Sequence, residues 1–246
     1  MKTIAMIPAR FAASRFPGKL MEMLGNKTVI RHTYENTVAT RLFDEIIVVT
    51  DSQIIFDEIT HYGGYVVMSK KSHESGSDRI AEIAKDIDVD IILNVQGDEP
   101  FVTREPLEKL LTAFDNDPLH KVQVASIMKM IDDPNIVEDP NYVKVVVDGF
   151  MNSLYFSRSP VPYNRDKATP ITSYEHVGVY AFRKQALMNF TSWHITPLEA
   201  AEKIECLRYL ENGIPLKMVI SDYKAGKIDT PADLERAKVQ LLSDFG

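Results

Sequence analysis

The stretch KTIAMIPARFAASRFPGK, residues 2–19, decides the fold class. It joins an apolar run, KTIAMI, to a loop that carries the cations Arg10, Arg15 and Lys19. Further runs rich in β-branched residues follow at residues 46–50, 65–68 and 91–96. Short runs of this composition predict β-strands. The chain is therefore expected to open with a strand and a cationic loop, followed by three more strands.

Segments with a helical repeat lie between these runs. Their apolar residues recur at spacings of three and four, as on the buried face of a helix. The segments are residues 28–39, 52–61, 77–86 and 104–115. Strands that alternate with helices through short connections predict an α/β fold with a mixed, mostly parallel central sheet flanked by helices.

The second half of the chain has a different pattern. From about residue 120 to 185, strand-like runs follow one another without comparable helices, which predicts an antiparallel extension or flap. Two later helices have clear start signals, TPLE at 196–199 and TPAD at 230–233, each with proline at the first helical position. No repeat or linker-like stretch interrupts residues 1–246, so a single domain is predicted.

Composition excludes several classes of protein. Lys and Arg number 28 against 35 Asp and Glu, a net charge of -7, so no general basic surface is available for a nucleic acid. The single cysteine, Cys206, excludes an intramolecular disulfide, and the six histidines lack zinc-ligand spacing. No signal peptide and no membrane-spanning run is recognisable. The interpretation is a soluble, cytoplasmic protein that binds neither nucleic acid nor membrane.

The cationic loop leaves the carboxyl end of a parallel strand, where open α/β folds bind their ligands. Its three cations lie within ten residues, with Ser14 and Gly18 between them. Cationic side chains and exposed backbone amides in one loop form a polyphosphate cradle. A solvated basic loop is the alternative when the charges are considered alone. The loop matches neither Walker A nor GxGxxG, which disfavours a P-loop ATPase and a standard dinucleotide-binding protein.

Carboxylates are expected at the same sheet edge. Asp98 and Glu99 follow the apolar strand at residues 91–95, and Asp229 precedes the predicted helix start at Thr230. Magnesium is usually held by one or two carboxylates together with substrate phosphates. Asp98 and Asp229 are therefore the candidate metal pair. The alternative for Asp229 is a purely structural role at the positive N-terminus of the helix.

Eight blocks of the sequence, taken in order, resemble those of the 3-deoxy-manno-octulosonate (Kdo) cytidylyltransferase, or CMP-Kdo synthetase, family. They are IPARFAASRFPGK, HESGSDR, NVQGDEP, YVKVVVD, LYFSRSPVP, HVGVYAFR, TPLEAAEKIECLRYL and IDTPADLER. The resemblance runs from Ile7 to about Arg236. It implies a Rossmann-like nucleotidyltransferase fold and a homodimer, in which the strand-rich segment at about 120–185 serves sugar binding and dimerisation.

The resemblance also implies an activity. The expected enzyme is a nucleotidyltransferase that moves CMP from CTP to the anomeric hydroxyl of Kdo or a close variant, giving CMP-Kdo and pyrophosphate for lipopolysaccharide or capsule synthesis, with Mg²⁺ as cofactor. A CMP-sialic acid synthetase and a non-catalytic nucleotide-binding protein stay open as alternatives. The LYFSR and TPLE blocks favour Kdo, and the complete set of loop cations and aspartates disfavours a pure binder.

Site residues follow from the same resemblance. Those implied for the nucleotide are Arg10, Ser14, Arg15, Lys19, Ser75, Arg79 and Gln96. Those implied for the sugar are Arg158, His176, Tyr180 and Glu205, the last placed in the helix that starts at Thr196. Asp98 and Asp229 are implied as magnesium ligands, and Arg10, Lys19 and Asp98 as the catalytic group. No general base is identified.

One position departs from the family pattern. Relatives commonly read LEQLR where this chain has IECLR, so Cys206 replaces a glutamine associated with the sugar site. Loss of that amide removes a donor and an acceptor, worth roughly 0.5–1.5 kcal/mol for an ordinary hydrogen bond. This departure makes a Kdo variant, such as the 8-amino form, an alternative acceptor to Kdo itself. Cys206 itself is interpreted as a mid-helix packing residue without a catalytic role.

Overall fold

The chain folds into two compact units. The computed structural model describes all residues except 13, 14, 72, 74, 166–170, 224, 225, 245 and 246. The first unit comprises residues 1–104 and 224–246, and the second comprises residues 105–223. The single nucleotidyltransferase domain predicted over residues 1–246 stays a prediction, since compact units of this kind can belong to one domain.

A parallel sheet forms the centre of the first unit. Its strands are β1 (Thr3–Ala9), β4 (Glu45–Thr50), β5 (Val66–Met68) and β6 (Ile91–Asn94), and a short hairpin of β2 (Met23–Leu24) and β3 (Lys27–Thr28) follows the N-terminal loop. β1 pairs in parallel with both β4 and β6, and β4 pairs in parallel with β5. The order is therefore β6-β1-β4-β5. This places the end of β1 in the interior of the sheet.

Burial explains why β1 occupies that position. Ile4, Ala5, Met6 and Ile7 are all completely buried. Successive residues of a strand point to opposite faces, so both faces of β1 are covered. Each isoleucine buried in this way contributes roughly 1.5–3 kcal/mol. The unbroken apolar run at the start of the chain thus produces an interior parallel strand.

The helices of the first unit begin close to their predicted starts. They are α1 (Val29–Ala39), α2 (Gln53–His61), α3 (Gly76–Ala84) and α9 (Pro231–Asp244). The side chain of Thr28 accepts a hydrogen bond from the backbone N–H of Arg31 and so caps α1. Ser75 caps α3 in the same way, through the N–H of Asp78. Parallel strands alternating with these helices confirm the predicted α/β class.

The second unit is rich in strands, as predicted. Its elements are α4 (Arg104–Asp115, with Arg104 in the first unit), β7 (Val124–Met130), α5 (Pro134–Glu138), β8 (Lys144–Val147), β9 (Ser153–Ser157), β10 (Tyr174–Arg183), α6 (Lys184–Ser192), α7 (Pro197–Glu202), α8 (Leu207–Glu211) and β11 (Lys217–Ile220). The pairs β7-β10, β10-β8 and β8-β9 are antiparallel, which confirms the prediction for this segment. β11 was not predicted, and it pairs with β7 in parallel.

One predicted helix is interrupted. The TPLE signal correctly starts α7 at Pro197, but α7 ends at Glu202 because Lys203 adopts a left-handed conformation with φ 56°. A left-handed residue cannot continue an α-helix. Glu205 therefore lies in the connection between α7 and α8, and Cys206 stands at the N-terminal boundary of α8. The placement of both residues inside one continuous helix was wrong.

The described helices are short or polar compared with a membrane span. Among the helices that the structure describes, none combines the length and the apolar character needed to cross a bilayer. The helix α9 spans 14 residues, whereas a bilayer requires about 20.

Candidate active site

The N-terminal loop is closed by a glycine. Gly18 has φ 74°, a left-handed conformation that glycine adopts without strain, and its N–H donates to the carbonyl of Phe11 over 2.9 Å. A short 3-10 helix, Lys19–Met21, starts immediately after it. The predicted polyphosphate loop therefore folds back on itself, and its last cation, Lys19, is held by regular structure.

Lys19 lies between the two aspartates that the sequence nominates as metal ligands. Its Nζ is 2.5 Å from Oδ2 of Asp98 and 2.8 Å from Oδ1 of Asp229. The two carboxylate oxygens are therefore no farther apart than the sum of these distances. Arg15 donates to the other oxygen of Asp229 over 3.0 Å. Residues separated by more than 200 positions of sequence thus meet in one charged cluster.

Backbone contacts bring the aspartates together. The N–H of Ile228 donates to the carbonyl of Asp98 over 3.0 Å. Asp233 in the first turn of α9 accepts from the N–H groups of Asp229 and Thr230. Gly97 allows the close approach of β1, because a Cβ at this position would lie 2.9 Å from the carbonyl oxygen of Pro8. The predicted turn after β6 therefore has a steric requirement for glycine.

Cations hold Asp229 in its charged form. Burial opposes ionisation, but the hydrogen bond from Lys19 and the charges of Lys227 and Arg15 outweigh it and lower the pKa of Asp229 to about 2. Partial burial disfavours the charge of Lys227 in turn, but the carboxylates of Asp98 and Asp229 raise its pKa. Asp229 is thus ionised throughout the neutral range. Its carboxylate contacts cationic side chains, so a structural role at the N-terminus of α9 does not account for all of its interactions.

These residues line one pocket of the first unit. The lining residues are Pro8, Ala9, Arg10, Arg15, Lys19, Leu20, His73, Ser75, Gly76, Arg79, Gln96, Gly97, Asp98, Lys227 and Asp229. All the predicted nucleotide residues except Ser14 are among them, and Ser14 lies outside the described residues. Their assignment to the nucleotide stays a prediction. The N-terminus of α3 at Gly76 opens onto this pocket, and helix N-termini favour anions.

Arg79 is engaged in structural contacts. Its side chain is 4% exposed, and its guanidinium donates to Asp51 over 2.6 Å and to the hydroxyl of Ser69 over 2.7 Å. The charge of Arg79 is therefore largely balanced by Asp51. It forms a wall of the pocket, and its predicted role in nucleotide binding is not tested by these contacts.

The aspartate pair fits a hard cation. The Lys19 ammonium already stands as a cation between oxygens of Asp98 and Asp229. Two carboxylates are the usual protein contribution to a magnesium site, which keeps waters and phosphate oxygens as further ligands. Among the described residues no group of three or more His, Cys, Asp and Glu side chains could hold a metal. A magnesium ion at this pair would take its further ligands from waters and phosphate oxygens.

His176, predicted to bind the sugar, lies in the second unit. It is 8% exposed, its Nε2 is 2.9 Å from the hydroxyl of Ser126 on β7, and its ring packs against the rings of Phe156 and Tyr180. Burial lowers its pKa to about 3. Its imidazole is therefore neutral at ordinary pH and can act as a hydrogen-bonding group but not as a counter-ion.

Tyr180 and Cys206 form a contact that sequence reasoning did not predict. Both side chains are buried, Cys206 completely, and they lie close enough to influence each other's ionisation. Burial raises the pKa of both groups well above the ordinary range, so each stays protonated. Glu205, the adjacent predicted sugar residue, is half-buried. The sulfur of Cys206 therefore packs in the interior beside a predicted sugar residue.

Arg158 is oriented by the backbone of its own unit. Its guanidinium donates to the carbonyls of Glu202 over 2.7 Å and Pro140 over 2.8 Å, with a longer contact of 3.5 Å to Lys203. A guanidinium has five N–H groups. Two remain beyond these three contacts, which is the number needed for a bidentate interaction with a carboxylate.

Among the titratable residues that line the pocket, Lys227 and His73 were not singled out from the sequence. Lys227 lies 3.2 Å from Asp229, and His73 lies 2.6 Å from Glu82, whose carboxylate also accepts the N–H of Lys70. His73 begins the block HESGSDR, and Lys227 directly precedes the block IDTPADLER. The signal for Lys227 was its position two residues before Asp229 in an extended connection, where alternate side chains point the same way.

Comparison with known proteins identifies the family. The sequence model described as cytidylyltransferase matches residues 4–220. The chain is 55% identical to the 3-deoxy-manno-octulosonate cytidylyltransferase of Flavobacterium johnsoniae, over 98% of this chain and 99% of the relative. It is 54% identical to the protein of the same name from Christiangramia forsetii, over 98% of this chain and 97% of that relative.

Solved structures agree with the sequence relatives. The structure of CMP:2-keto-3-deoxy-manno-octonic acid synthetase complexed with CTP matches with a TM-score of 0.93 and 34% identity, covering 99% of this chain and 100% of that chain. A 4-diphosphocytidyl-2C-methyl-D-erythritol synthase from Anaerococcus prevotii, 21% identical with a TM-score of 0.64, shares the fold alone. The Rossmann-like nucleotidyltransferase fold is thereby confirmed, and the chain belongs to the 3-deoxy-manno-octulosonate cytidylyltransferase family.

Proposed function

We propose that this chain transfers CMP from CTP to the anomeric hydroxyl of Kdo, or of a close variant, and releases pyrophosphate. The observation that carries the proposal is the contact of Lys19 with both Asp98 and Asp229, in a pocket that Arg10 and Arg15 also line. Such a pocket suits a polyphosphate. The names of the relatives supply the sugar, and the neighbouring structure with CTP supplies the nucleotide.

The reaction is a substitution at the α-phosphorus. The sugar oxygen forms a bond to phosphorus, the bond to the bridging oxygen of pyrophosphate breaks, and the sugar hydroxyl loses its proton. Lys19, Arg15 and Arg10 would hold phosphate oxygens and stabilise the charge that develops as pyrophosphate leaves. No covalent bond to the protein is required. We assign no side chain as the general base.

Asp98 and Asp229 would hold the magnesium ion expected for this reaction. A bound Mg²⁺ supplies charge neutralisation at the phosphates and favours deprotonation of a hydroxyl close to it. The low pKa of Asp229 keeps that carboxylate ionised and ready to bind a cation at any neutral pH. Lys19 would then exchange part of its contact with the carboxylates for contact with phosphate oxygens.

The sugar would be recognised by residues of the second unit. Arg158 has N–H groups beyond its contacts with described residues, and these would bind the sugar carboxylate. The neutral imidazole of His176, together with Tyr180 and Glu205, would offer hydrogen bonds to hydroxyls. We propose further that the protein acts as a homodimer in the cytoplasm and supplies lipopolysaccharide or capsule synthesis.

The test is pyrophosphate release from CTP and Mg²⁺ with Kdo, 8-amino-Kdo and sialic acid in parallel. Release with Kdo supports the proposal and makes Cys206 a tolerated packing residue. Preference for the 8-amino acid places the specificity at the contact between Cys206 and Tyr180. Release with sialic acid alone refutes the proposed acceptor, and binding of CTP without release with any acid refutes catalysis.

A further inference from the structure

The charges of the pocket do not balance. Among the described lining residues, Arg10, Arg15, Lys19 and Lys227 face two carboxylates, Asp98 and Asp229. Arg79 also lines the pocket but is paired with its own carboxylate. The remaining surplus is two positive charges, which favours a ligand with several negative charges. One of these four cations, Lys227, has no role in the function proposed above.

Lys227 differs from Lys19 in its surroundings. The Lys19 side chain is 11% exposed and is shared by two carboxylates, whereas that of Lys227 is 47% exposed and its Nζ lies 3.2 Å from Oδ2 of Asp229 alone. An ammonium has three N–H groups. The described ion pair of Lys227 uses one of them, so donors remain at the mouth of the pocket.

The position of Lys227 identifies the part of the ligand that it can reach. It shares Oδ2 of Asp229 with Arg15, a cation of the polyphosphate loop. Arg15 and Lys227, which are far apart in the sequence, therefore contact the same carboxylate oxygen. A ligand that neutralises one of them lies within reach of the other.

We propose that Lys227 binds the terminal phosphates of the nucleotide and the pyrophosphate that they become. This inference rests on the proposed CMP transfer. A nucleoside triphosphate carries about four negative charges at pH 7. Removal of one cation would halve the surplus positive charge of the pocket and so weaken its attraction for the triphosphate. As the bond to the α-phosphorus breaks, its electron pair moves to the pyrophosphate oxygen, and a cation beside that oxygen stabilises the leaving group.

The experiment compares Lys227→Met and Lys227→Arg with Lys238→Met. Lys238 lies on α9 in the same unit, is 42% exposed and pairs with Glu235, so its replacement makes the same charge change outside the pocket. Calorimetric titration measures the dissociation constants of pyrophosphate and of CMP, each with Mg²⁺. Initial rates with CTP give KM and kcat separately.

Lys227→Met is expected to weaken pyrophosphate binding by about tenfold, the loss of one charge-assisted hydrogen bond. In the same variant, the dissociation constant of CMP should change by less than a factor of two and KM for CTP should rise. Lys227→Arg should restore most of the pyrophosphate affinity. Lys238→Met should match the unaltered protein in every measurement. Unchanged pyrophosphate affinity in Lys227→Met, an equal loss of CMP affinity, or no measurable pyrophosphate binding by the unaltered protein would overturn the inference. Failure of the proposed CMP transfer has a different signature, namely no pyrophosphate release by the unaltered protein with any sugar acid.

Discussion

The buried imidazole of His176 makes the stability of the second unit sensitive to mild acid. Burial lowers its pKa from 6.5 to about 3 in the folded protein. Below pH 6.5 the unfolded chain binds a proton at this residue and the folded chain does not. The stabilisation is therefore complete above pH 6.5 and is lost as the pH falls from 6.5 toward 3. Replacement by glutamine, which keeps a hydrogen-bonding amide but does not titrate, removes this dependence.

The magnitude follows from the width of that window. A pH of 5 lies about one and a half units below the unfolded pKa, and each unit is worth about 1.4 kcal/mol. Between pH 7 and pH 5 the free energy of unfolding of the unaltered protein should therefore fall by about 2 kcal/mol more than that of His176→Gln. Because the folded pKa lies well below 5, His176 of the folded protein stays almost fully neutral over this range.

Urea denaturation at pH 7, 6 and 5 measures the difference. The control is His194→Gln, because it makes the same substitution at an exposed histidine of the same unit. Parallel loss of stability by the unaltered protein and by His176→Gln would refute the reasoning, since the imidazole would then titrate alike in both states. A confirmed result would also show that the imidazole of His176 is neutral in the folded protein, as its proposed role as a hydrogen-bonding group for the sugar requires.

Three further substitutions test other contacts. Asp98→Asn should lower kcat by at least about 10²-fold with the melting temperature nearly unchanged, and near-normal turnover would remove Asp98 from the catalytic group. Glu199→Gln should cost about 3–5 kcal/mol in urea denaturation, because Glu199 holds the buried guanidinium of Arg208 through two hydrogen bonds of 2.6 and 2.7 Å. Cys206→Gln should destabilise the protein by about 1–3 kcal/mol, because the larger amide enters a completely buried position; an unchanged melting temperature would mean that space for the amide exists.

Local periodicity predicted the first unit well for a physical reason. A parallel strand is buried on both faces, so β1 and β6 appear in the sequence as continuous apolar runs that are easily recognised. In the second half of the chain, the end of α7 and the strand β11 leave weaker signals in the sequence. Nothing in the composition of residues 196–211 shows that Lys203 would adopt a left-handed conformation, and β11 is only four residues long. Its parallel pairing depends on the long-range position of β7.

The sequence nominated most charged residues of the pocket, but not the contacts between them. The position of Asp98 at the carboxyl edge of the parallel sheet follows from its place after β6, which topology alone suggests. That a single ammonium, Lys19, lies between this residue and Asp229 depends on the turn at Gly18 and on the capping of α9 by Asp233. The engagement of Arg79 with Asp51 could not be inferred either, because an arginine near a phosphate site and an arginine in a structural ion pair have the same sequence signature.

The discontinuity of the first unit has a consequence for synthesis. All four strands of its parallel sheet are complete by Asn94, yet Lys227, Asp229 and α9 come from the last part of the chain. A nascent chain can therefore form the N-terminal loop long before Asp229, one of the two aspartates that contact Lys19, has left the ribosome. Until then the loop cations lack one of their two aspartates, and the charged cluster of the candidate site is completed only after residues 227–229 have been translated.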